Sequence, residues 1–153
     1  MRQEFSETIV VDAPLAAVWA TVSDIPTVLS WISIVESVED VATGRYKVVL
    51  ADKLGPFKLR ADVAVQVTER VEREKIRAHG DGEDRQIGSR LIVDVELDVS
   101  PAGTGTGTTV DVRGSYEVTG RPAALGAGSI RKKASTILSE FFAAAQRDVA
   151  AAG

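Results

Sequence analysis

Cysteine is absent from this chain of 153 residues, and histidine occurs once, as His79. The absence of cysteine excludes disulfides, thiolate metal ligands and a cysteine nucleophile. A single imidazole also excludes a histidine-rich metal site and a cysteine–histidine catalytic pair. We therefore expect a protein that carries neither a metal ion nor a cofactor.

Net positive charge and long apolar runs are absent as well. The formal net charge is -4, which gives no electrostatic footprint for nucleic acid. No stretch reaches the ~20 apolar residues of a membrane-spanning helix. The first residues, MRQEFSET, lack the basic start and apolar run of a signal peptide. These features predict a cytoplasmic protein with at most a peripheral contact to the inner face of the membrane.

The composition is that of a globular protein with few aromatic residues. Hydrophobic residues make up 44% of the chain and charged residues 26%, which suits a single domain over residues 1–153 with an adequate core. Aromatic residues make up 5%. If the protein binds an apolar ligand, so few stacking platforms favour an aliphatic or isoprenoid tail over a polycyclic ring.

Two periodic patterns predict the main elements of the fold. Apolar and polar residues alternate over residues 57–67, which predicts a long strand with one dry face and one mostly wet face. Apolar residues recur at helical spacing over residues 130–149, which predicts a long C-terminal helix that covers the dry face. Two short helices are predicted over residues 14–23 and 24–31.

Further alternating segments complete the predicted sheet. The predicted strands are residues 5–11, 35–41, 45–52, 56–71, 74–80, 87–99 and 108–118. Their connections are short, including a turn at Gly80-Asp81-Gly82, and parallel neighbours would each need about a dozen connecting residues. The sequence thus predicts an α+β helix-grip fold: a curved antiparallel sheet of about seven strands wrapped around a long C-terminal helix, with two short helices after the first strand.

A sheet that grips a helix commonly leaves a cavity between the two, so a small apolar ligand is the leading functional hypothesis. Strand parity selects the residues that face the helix. The predicted ligand-binding residues are Phe57, Leu59, Ala61, Val63, Leu91, Val93, Val95, Val112, Gly114 and Tyr116 on the sheet, with Ile130, Ala134, Ile137 and Leu138 on the helix. The absent side chain of Gly114 either makes room for a ligand or relieves a coiled strand. Alternatively, all these residues pack together and leave no usable space.

The meander places the second short helix and three connections at one end of the sheet, where the cavity would open. Trp31, Leu54, Arg85 and Arg121 would ring this rim. Trp31 has an alternative place in the core, and Leu54 is either an ordinary exposed leucine or a contact with a partner or lipid surface. Lys132, in the basic run 131–133, belongs to a solvated helix face or contacts an anionic headgroup or acidic partner.

Catalytic groups are not evident on the inner face. Parity places His79, Asp94 and Glu96 on the solvent-facing side of their strands, whereas general acid–base catalysis needs a carboxylate in a dry cleft. Tyr116 is the one polar side chain predicted to face inward. The glycine-rich residues 103–107 bridge two strands and lack the aligned amides of a phosphate site. We predict no catalytic residues.

Several motifs are shared with a known superfamily. They are residues 13–19 (APLAAVW), Ser23-Asp24, residues 35–38 (VESV), Tyr46, and Leu54-Gly55-Pro56-Phe57, followed by the C-terminal amphipathic helix. They resemble the START/SRPBCC (Bet v 1-like) superfamily, and within it most closely the CoxG-type accessory proteins of carbon monoxide dehydrogenase. The resemblance covers essentially the whole chain. Two features depart from the CoxG type: Ile32-Ser33 replaces its usual Pro-Gly, and the chain stops soon after the helix, without a membrane-anchoring tail.

The resemblance implies binding of lipids, polyketides, sterols or other apolar molecules, and no catalysis by this protein. It also implies a partner, a molybdenum hydroxylase of the carbon monoxide dehydrogenase type, in whose maturation, membrane recruitment or quinone coupling the protein would act. The expected ligand is then lipid- or quinone-like. Two alternatives stay open because fold alone does not fix function: a polyketide cyclase/aromatase-like enzyme, and a protein-interaction module whose core is filled by its own side chains.

Overall fold

The computed structural model of the protein describes residues 1–54, 57–84, 88–103 and 105–152, and for residues 54, 57 and 121–127 it describes the backbone alone. The elements in chain order are β1 (Arg2–Val11), α1 (Leu15–Val22), α2 (Ile25–Ser30), β2 (Val35–Ala42), β3 (Arg45–Leu54), β4 (Phe57–Val71), β5 (Lys75–Asp84), β6 (Ser89–Pro101), β7 (Thr108–Gly120) and α3 (Arg121–Ala150). Each predicted strand and helix has a counterpart at nearly the same place in the chain.

The strands form one sheet in the order β1-β7-β6-β5-β4-β3-β2, in which every neighbouring pair is antiparallel. Strands β2 to β7 are a meander, and β1 joins the sheet by pairing with β7. Helix α3 packs across the inner face against β7, β1, β3 and β6. The α+β helix-grip fold predicted from the two periodic patterns is confirmed.

Helix α1 fills one end of the gap between the sheet and α3. It contacts both β6 and α3, and its buried Val18 and Val22 join Val99, Val110 and Val149 in the core. Burying an aliphatic side chain of this kind contributes about 1.5–3 kcal/mol. The C-terminal end of α3 is therefore packed into the core.

Strand β5 is longer than predicted, because Gly80-Asp81-Gly82 lies within the strand and does not form the predicted turn. Strands β4 and β5 pack closely here: a Cβ atom built on Gly82 would lie 2.6 Å from Cγ2 of Val63 and 2.8 Å from its Cα. The glycine thus permits a close approach of side chain and backbone rather than a change of direction. The extension carries Asp84 onto the inner face of the sheet.

Gly114 offers no space for a ligand, because the ring of Phe5 covers it. The two residues are partners in the β1–β7 register, and a Cβ atom built on Gly114 would lie 2.5 Å from Cζ of Phe5. The same Cβ would also collide with the backbone carbonyl oxygen of Asp94. The interpretation that Gly114 makes room for a ligand is wrong, since an aromatic side chain from the neighbouring strand occupies that place.

Candidate functional site

A cavity of about 230 Å³ lies between the inner face of the sheet and residues 130–141 of α3. Most of the side chains around it are aliphatic or aromatic and only partly buried. On the sheet they are Phe5, Leu50, Leu59, Ala61, Leu91, Val93, Val95, Tyr116 and Val118, on α3 they are Ile130, Ala134, Ile137, Leu138 and Phe141, and Ile32 and Ile34 precede β2. The partial exposure of an apolar wall shows that the cavity is accessible from solvent.

Ten of the predicted ligand-binding residues line this cavity, six on the sheet and four on α3. They are Leu59, Ala61, Leu91, Val93, Val95, Tyr116, Ile130, Ala134, Ile137 and Leu138. Strand parity finds the six on the sheet because partners on neighbouring antiparallel strands share one face, and helical spacing finds the four on α3. Their contact with a ligand stays a prediction.

Three other predicted residues lie in the packed core and do not line the cavity. Val63 and Val112 are buried. Trp31 is buried too: its indole Nε1 donates a hydrogen bond of 2.6 Å to Oδ2 of Asp148, and its ring packs edge-on against Phe141. Trp31 therefore takes its alternative place in the core, and it is not a rim residue.

Among the other predicted rim residues, the structure describes the side chain of Lys132 alone. The side chains of Leu54, Phe57, Arg85 and Arg121 lie outside the described part of the structure. Lys132 is exposed on α3, as both interpretations of the basic run require. Whether it contacts a partner stays a prediction.

Two buried polar side chains in the cavity wall were not predicted. Asp84 and Ser89 are partners in the register of β5 and β6, are 2% and 7% exposed, and both line the cavity. The backbone N–H of Arg60 donates a hydrogen bond of 2.7 Å to Oδ2 of Asp84. The expectation that Tyr116 is the one inward polar side chain is therefore wrong, because β5 continues past the residues that were interpreted as a turn.

An ion pair joins α3 to β3 beside the cavity. Nζ of Lys133 lies 2.8 Å from Oδ2 of Asp52, and Lys133 also lines the cavity. Asp52 follows the buried Val48 and Leu50 along β3, so period-two alternation places all three on the inner face. The alternation along β3 could have identified Leu50 and Asp52 as inward-facing residues, but neither was predicted.

Tyr116 and Leu138 separate the cavity from a second space at the edge of the sheet. This cleft, of about 420 Å³, lies between β1 and α3 and is lined by both residues together with polar side chains. They are Gln3, Glu4, Glu7, Arg131, Ser135 and Ser139, beside Phe142. Burial raises the pKa of Tyr116 above its ordinary value, and Arg131 opposes this shift. The hydroxyl therefore stays protonated at neutral pH and can donate a hydrogen bond.

Charged residues of β5 and β6 lie on the outer face of the sheet, as parity predicted. They form ion pairs there. Nδ1 of His79 lies 2.6 Å from Oδ1 of Asp94. Arg77 donates a hydrogen bond of 2.6 Å to Glu96, which also pairs with Arg113. The hydrogen bond from Arg77 is the largest cause that lowers the pKa of Glu96, to about 2. These charges lie on the opposite side of the sheet from the cavity.

Metal-binding clusters and membrane-spanning helices are the other features that bear on function. Across the described ranges, no three metal-ligating side chains from the histidine, cysteine, aspartate and glutamate set are grouped so that they could hold a metal ion. Within the same part of the chain, no helix combines the length and the apolar character that crossing a membrane requires.

The protein thus has a helix-grip fold with an apolar cavity under its C-terminal helix. Residues 2–150 match the polyketide cyclase / dehydrase and lipid transport family, and the chain belongs to that family. The resemblance to the START/SRPBCC superfamily is thereby confirmed at the level of the superfamily. No protein of curated function matches the chain.

Solved structures with the same fold cover nearly the whole chain at low sequence identity. A conserved protein from Geobacillus kaustophilus has a TM-score of 0.79 and 22% identity, over 97% of this chain and 95% of that one. A START superfamily protein from Mycobacterium smegmatis has a TM-score of 0.62 and 15% identity, over 95% and 96%. The Zhui aromatase/cyclase from a Streptomyces species has a TM-score of 0.63 and 14% identity, over 99% and 93%. At these identities the similarity establishes the fold alone.

Proposed function

We propose that the protein binds a small hydrophobic molecule in the cavity between the sheet and α3, and that it does so without catalysing a reaction. The observation that carries this proposal is the accessible apolar cavity of about 230 Å³. A core filled by the protein's own side chains, one of the open alternatives, does not agree with this space. Burial of a ligand's apolar surface in such a site contributes roughly 25 cal/mol per Å².

The volume limits the ligand. It exceeds the roughly 150 Å³ of an apolar cavity that accommodates benzene, and it lies below the ~300 Å³ at which drug-sized pockets begin. The cavity therefore suits a small lipid-like molecule, or one end of a longer lipid or quinone whose remainder extends outside. A polycyclic ring system would need the helix to move away from the sheet.

A pair of alanines on α3 offers a direct test. Ala134 lines the cavity, whereas Ala143 is exposed on the same helix. Native mass spectrometry of freshly purified protein, followed by organic extraction, would identify a co-purified molecule. We expect Ala134→Phe to remove the adduct by filling the cavity and Ala143→Phe to retain it. An adduct that persists in the folded Ala134→Phe variant would refute binding at this site.

We further propose, on the resemblance to the CoxG-type proteins, that the protein serves as an accessory factor for a molybdenum hydroxylase of the carbon monoxide dehydrogenase type, in its maturation, its recruitment to the membrane or its coupling to quinone. The motif Leu54-Gly55-Pro56 and the exposed Lys132 support the proposal. Size-exclusion chromatography of the purified hydroxylase with the protein should yield a complex that Lys132→Glu weakens. The matched change at the exposed Lys47 on the outer face should not weaken it.

A second candidate function is that of a cyclase or dehydratase acting on an apolar thioester-linked chain. The buried carboxylate of Asp84, in a wall it shares with the protonated hydroxyl of Tyr116, supports it, because acid–base chemistry needs such groups in a dry cleft. Turnover of a β-hydroxyacyl thioester that depends on Asp84 would establish this function. Binding of the thioester without turnover would leave the carrier function in place.

A further inference from the structure

We infer that Tyr116 selects ligands that carry an uncharged carbonyl acceptor, as a ketone or an ester does, at the point where an apolar chain leaves the cavity. This inference rests on the proposed function, since it names the class of ligand that the cavity takes. It assigns a recognition role to the boundary between the cavity and the cleft beside β1.

Tyr116 belongs to the wall of both spaces. With Leu138 it lines the cavity and also the cleft of about 420 Å³ between β1 and α3. On the cavity side its neighbours are apolar: Val93 is its partner on β6, and Val118 lies two residues further along β7. On the cleft side its partner on β1 is Gln3, which lines the cleft with other polar side chains. A ligand that extends through both spaces therefore changes from apolar body to polar head at Tyr116.

The hydroxyl of Tyr116 is available to a ligand. Among the described residues, none forms a hydrogen bond with it, and burial together with the charge of Arg131 accounts for its shifted pKa. Because the pKa is raised, the group is protonated at neutral pH and can donate. A partly buried donor gains from a ligand acceptor, since a hydrogen bond that stays unmade in such a place costs free energy.

Arg131 supplies further donors at the same boundary. It lies on α3 and lines the cleft, and its charge lowers the pKa of Tyr116 against the effect of burial. Within the described ranges, no carboxylate forms an ion pair with its guanidinium. A guanidinium has five N–H donors and no acceptor. Tyr116 and Arg131 together therefore favour an acceptor over a donor at this end of the ligand.

The charges of the cleft favour a neutral acceptor over an anion. Glu4 and Glu7 line the cleft together with Arg131, so in its described wall the carboxylates outnumber the cation. A ligand carboxylate would gain from Arg131 and lose to two like charges, and solvent screens all three because they are exposed. A ketone or ester oxygen accepts the hydrogen bonds without this repulsion. A methyl ketone should therefore bind more tightly than the carboxylate of the same length.

The test compares 2-octanone with 2-methyl-1-octene, which has a CH₂ group in place of the carbonyl oxygen, and with octanoate. Affinities come from NMR titration of the protein. We expect Tyr116→Phe to weaken binding of 2-octanone by about two- to tenfold, the effect of one lost hydrogen bond, and to leave binding of the alkene unchanged. Tyr46→Phe is the matched control and should change neither, because Tyr46 lies on β3.

Infrared spectroscopy of the bound ketone supplies a readout that a merely structural role of Tyr116 would not move. The carbonyl stretch falls in frequency when the oxygen accepts a hydrogen bond. We expect the stretch of bound 2-octanone to lie below its value in hexane and to rise in Tyr116→Phe. Arg131→Gln should raise it as well, whereas Lys132→Gln, which removes the same charge at the next residue of α3, should not.

The outcomes separate this inference from the proposed function. Equal losses for the ketone and the alkene in folded Tyr116→Phe, a carbonyl stretch that the variant leaves unchanged, or tighter binding of octanoate than of 2-octanone would overturn the inference and leave the carrier function standing. Binding of none of the three would overturn both. If Tyr116→Phe does not fold, the carbonyl stretch in Arg131→Gln, a variant at an exposed position, decides: an unchanged stretch overturns the inference.

Discussion

Lys133 of α3 and Asp52 of β3 form an ion pair with 2.8 Å between Nζ and Oδ2, and this pair bridges helix and sheet beside the cavity. The two elements otherwise meet through apolar side chains around an accessible space. The ion pair thus joins helix and sheet at a place where the apolar packing between them leaves a cavity. Its lysine is 40% exposed and its aspartate 21%, so solvent screens the interaction.

A double-mutant cycle should detect an interaction energy between Lys133 and Asp52. We expect Lys133→Met and Asp52→Asn to show a coupling energy of about 0.3–1 kcal/mol in urea unfolding, smaller at high salt. Lys132→Met is the control, since Lys132 is the adjacent exposed lysine, and it should not couple to Asp52→Asn. Equal coupling of both lysines to Asp52 would mean that general charge, and not this contact, is responsible.

Two glycines should respond to alanine with opposite signs. At Gly114 a Cβ would lie 2.5 Å from Cζ of Phe5 and against a backbone oxygen, so Gly114→Ala should destabilise the fold by about 3 kcal/mol. At Gly128, exposed in α3, a Cβ would meet nothing within 4 Å, so Gly128→Ala should stabilise it by about 0.5–1 kcal/mol. Thermal unfolding of both variants measures this. A neutral Gly114→Ala would show that Phe5 does not occupy the space over the glycine.

The two tryptophans should report ligand binding unequally. Trp31 packs edge-on against Phe141, with 5.7 Å between ring centroids, and Phe141 lines the cavity. Trp19 instead donates a hydrogen bond of 3.0 Å from Nε1 to Glu72 and does not line the cavity. We expect the fluorescence change on addition of 1-octanol to survive Trp19→Phe and to disappear in Trp31→Phe. The reverse result would place the bound ligand elsewhere.

Glu96 should make stability depend on acid pH. Its folded-state pKa, lowered to about 2 mainly by the hydrogen bond from Arg77, lies below its unfolded value of about 4.3. The ionised carboxylate therefore stabilises the fold above roughly pH 4.3, and this contribution is lost as the pH falls toward 2. The pKa of Asp98 is raised, first by burial and then by Glu96, so its contribution has the opposite sign.

Urea unfolding at a series of pH values checks this dependence. We expect Glu96→Gln to be less stable than the native protein at pH 7 and to lose less stability between about pH 5 and 2. Asp94→Asn, at an exposed carboxylate of the same strand, should follow the native profile more closely. Parallel profiles of Glu96→Gln and the native protein would exclude Glu96 as the source.

Much of the fold could be predicted because its signals are local. The alternation over residues 57–67 and the stripe over residues 130–149 each follow from the geometry of one element. Short connections then leave the meander as the simplest topology. Strand parity found six residues of the cavity wall, among them Leu59 and Val93, because antiparallel partners share a face of the sheet, and the helical stripe found four more.

The distinction between wall and core was not available from the sequence. Val63 and Leu59 occupy equivalent inward positions on β4, yet Val63 is buried beside Gly82 and Leu59 lines the cavity. From the sequence, Trp31 could lie at the cavity rim or in the core. Only its hydrogen bond to Asp148 in the folded protein distinguishes these two positions. Each of these outcomes depends on how far α3 stands from the sheet, which is a property of several packed elements together.

The helix-grip fold and the inward faces of β4, β6 and β7 follow from the amino-acid sequence alone, since backbone periodicity and hydrophobic burial act within a single element. The packing of β4 against β5 in the folded protein places Gly80 and Gly82 within a strand and not in a turn. It thereby places Asp84 opposite Ser89 in an apolar cavity. A glycine suits a tight turn and a close strand contact equally well, and only the approach of a neighbouring chain segment selects between them.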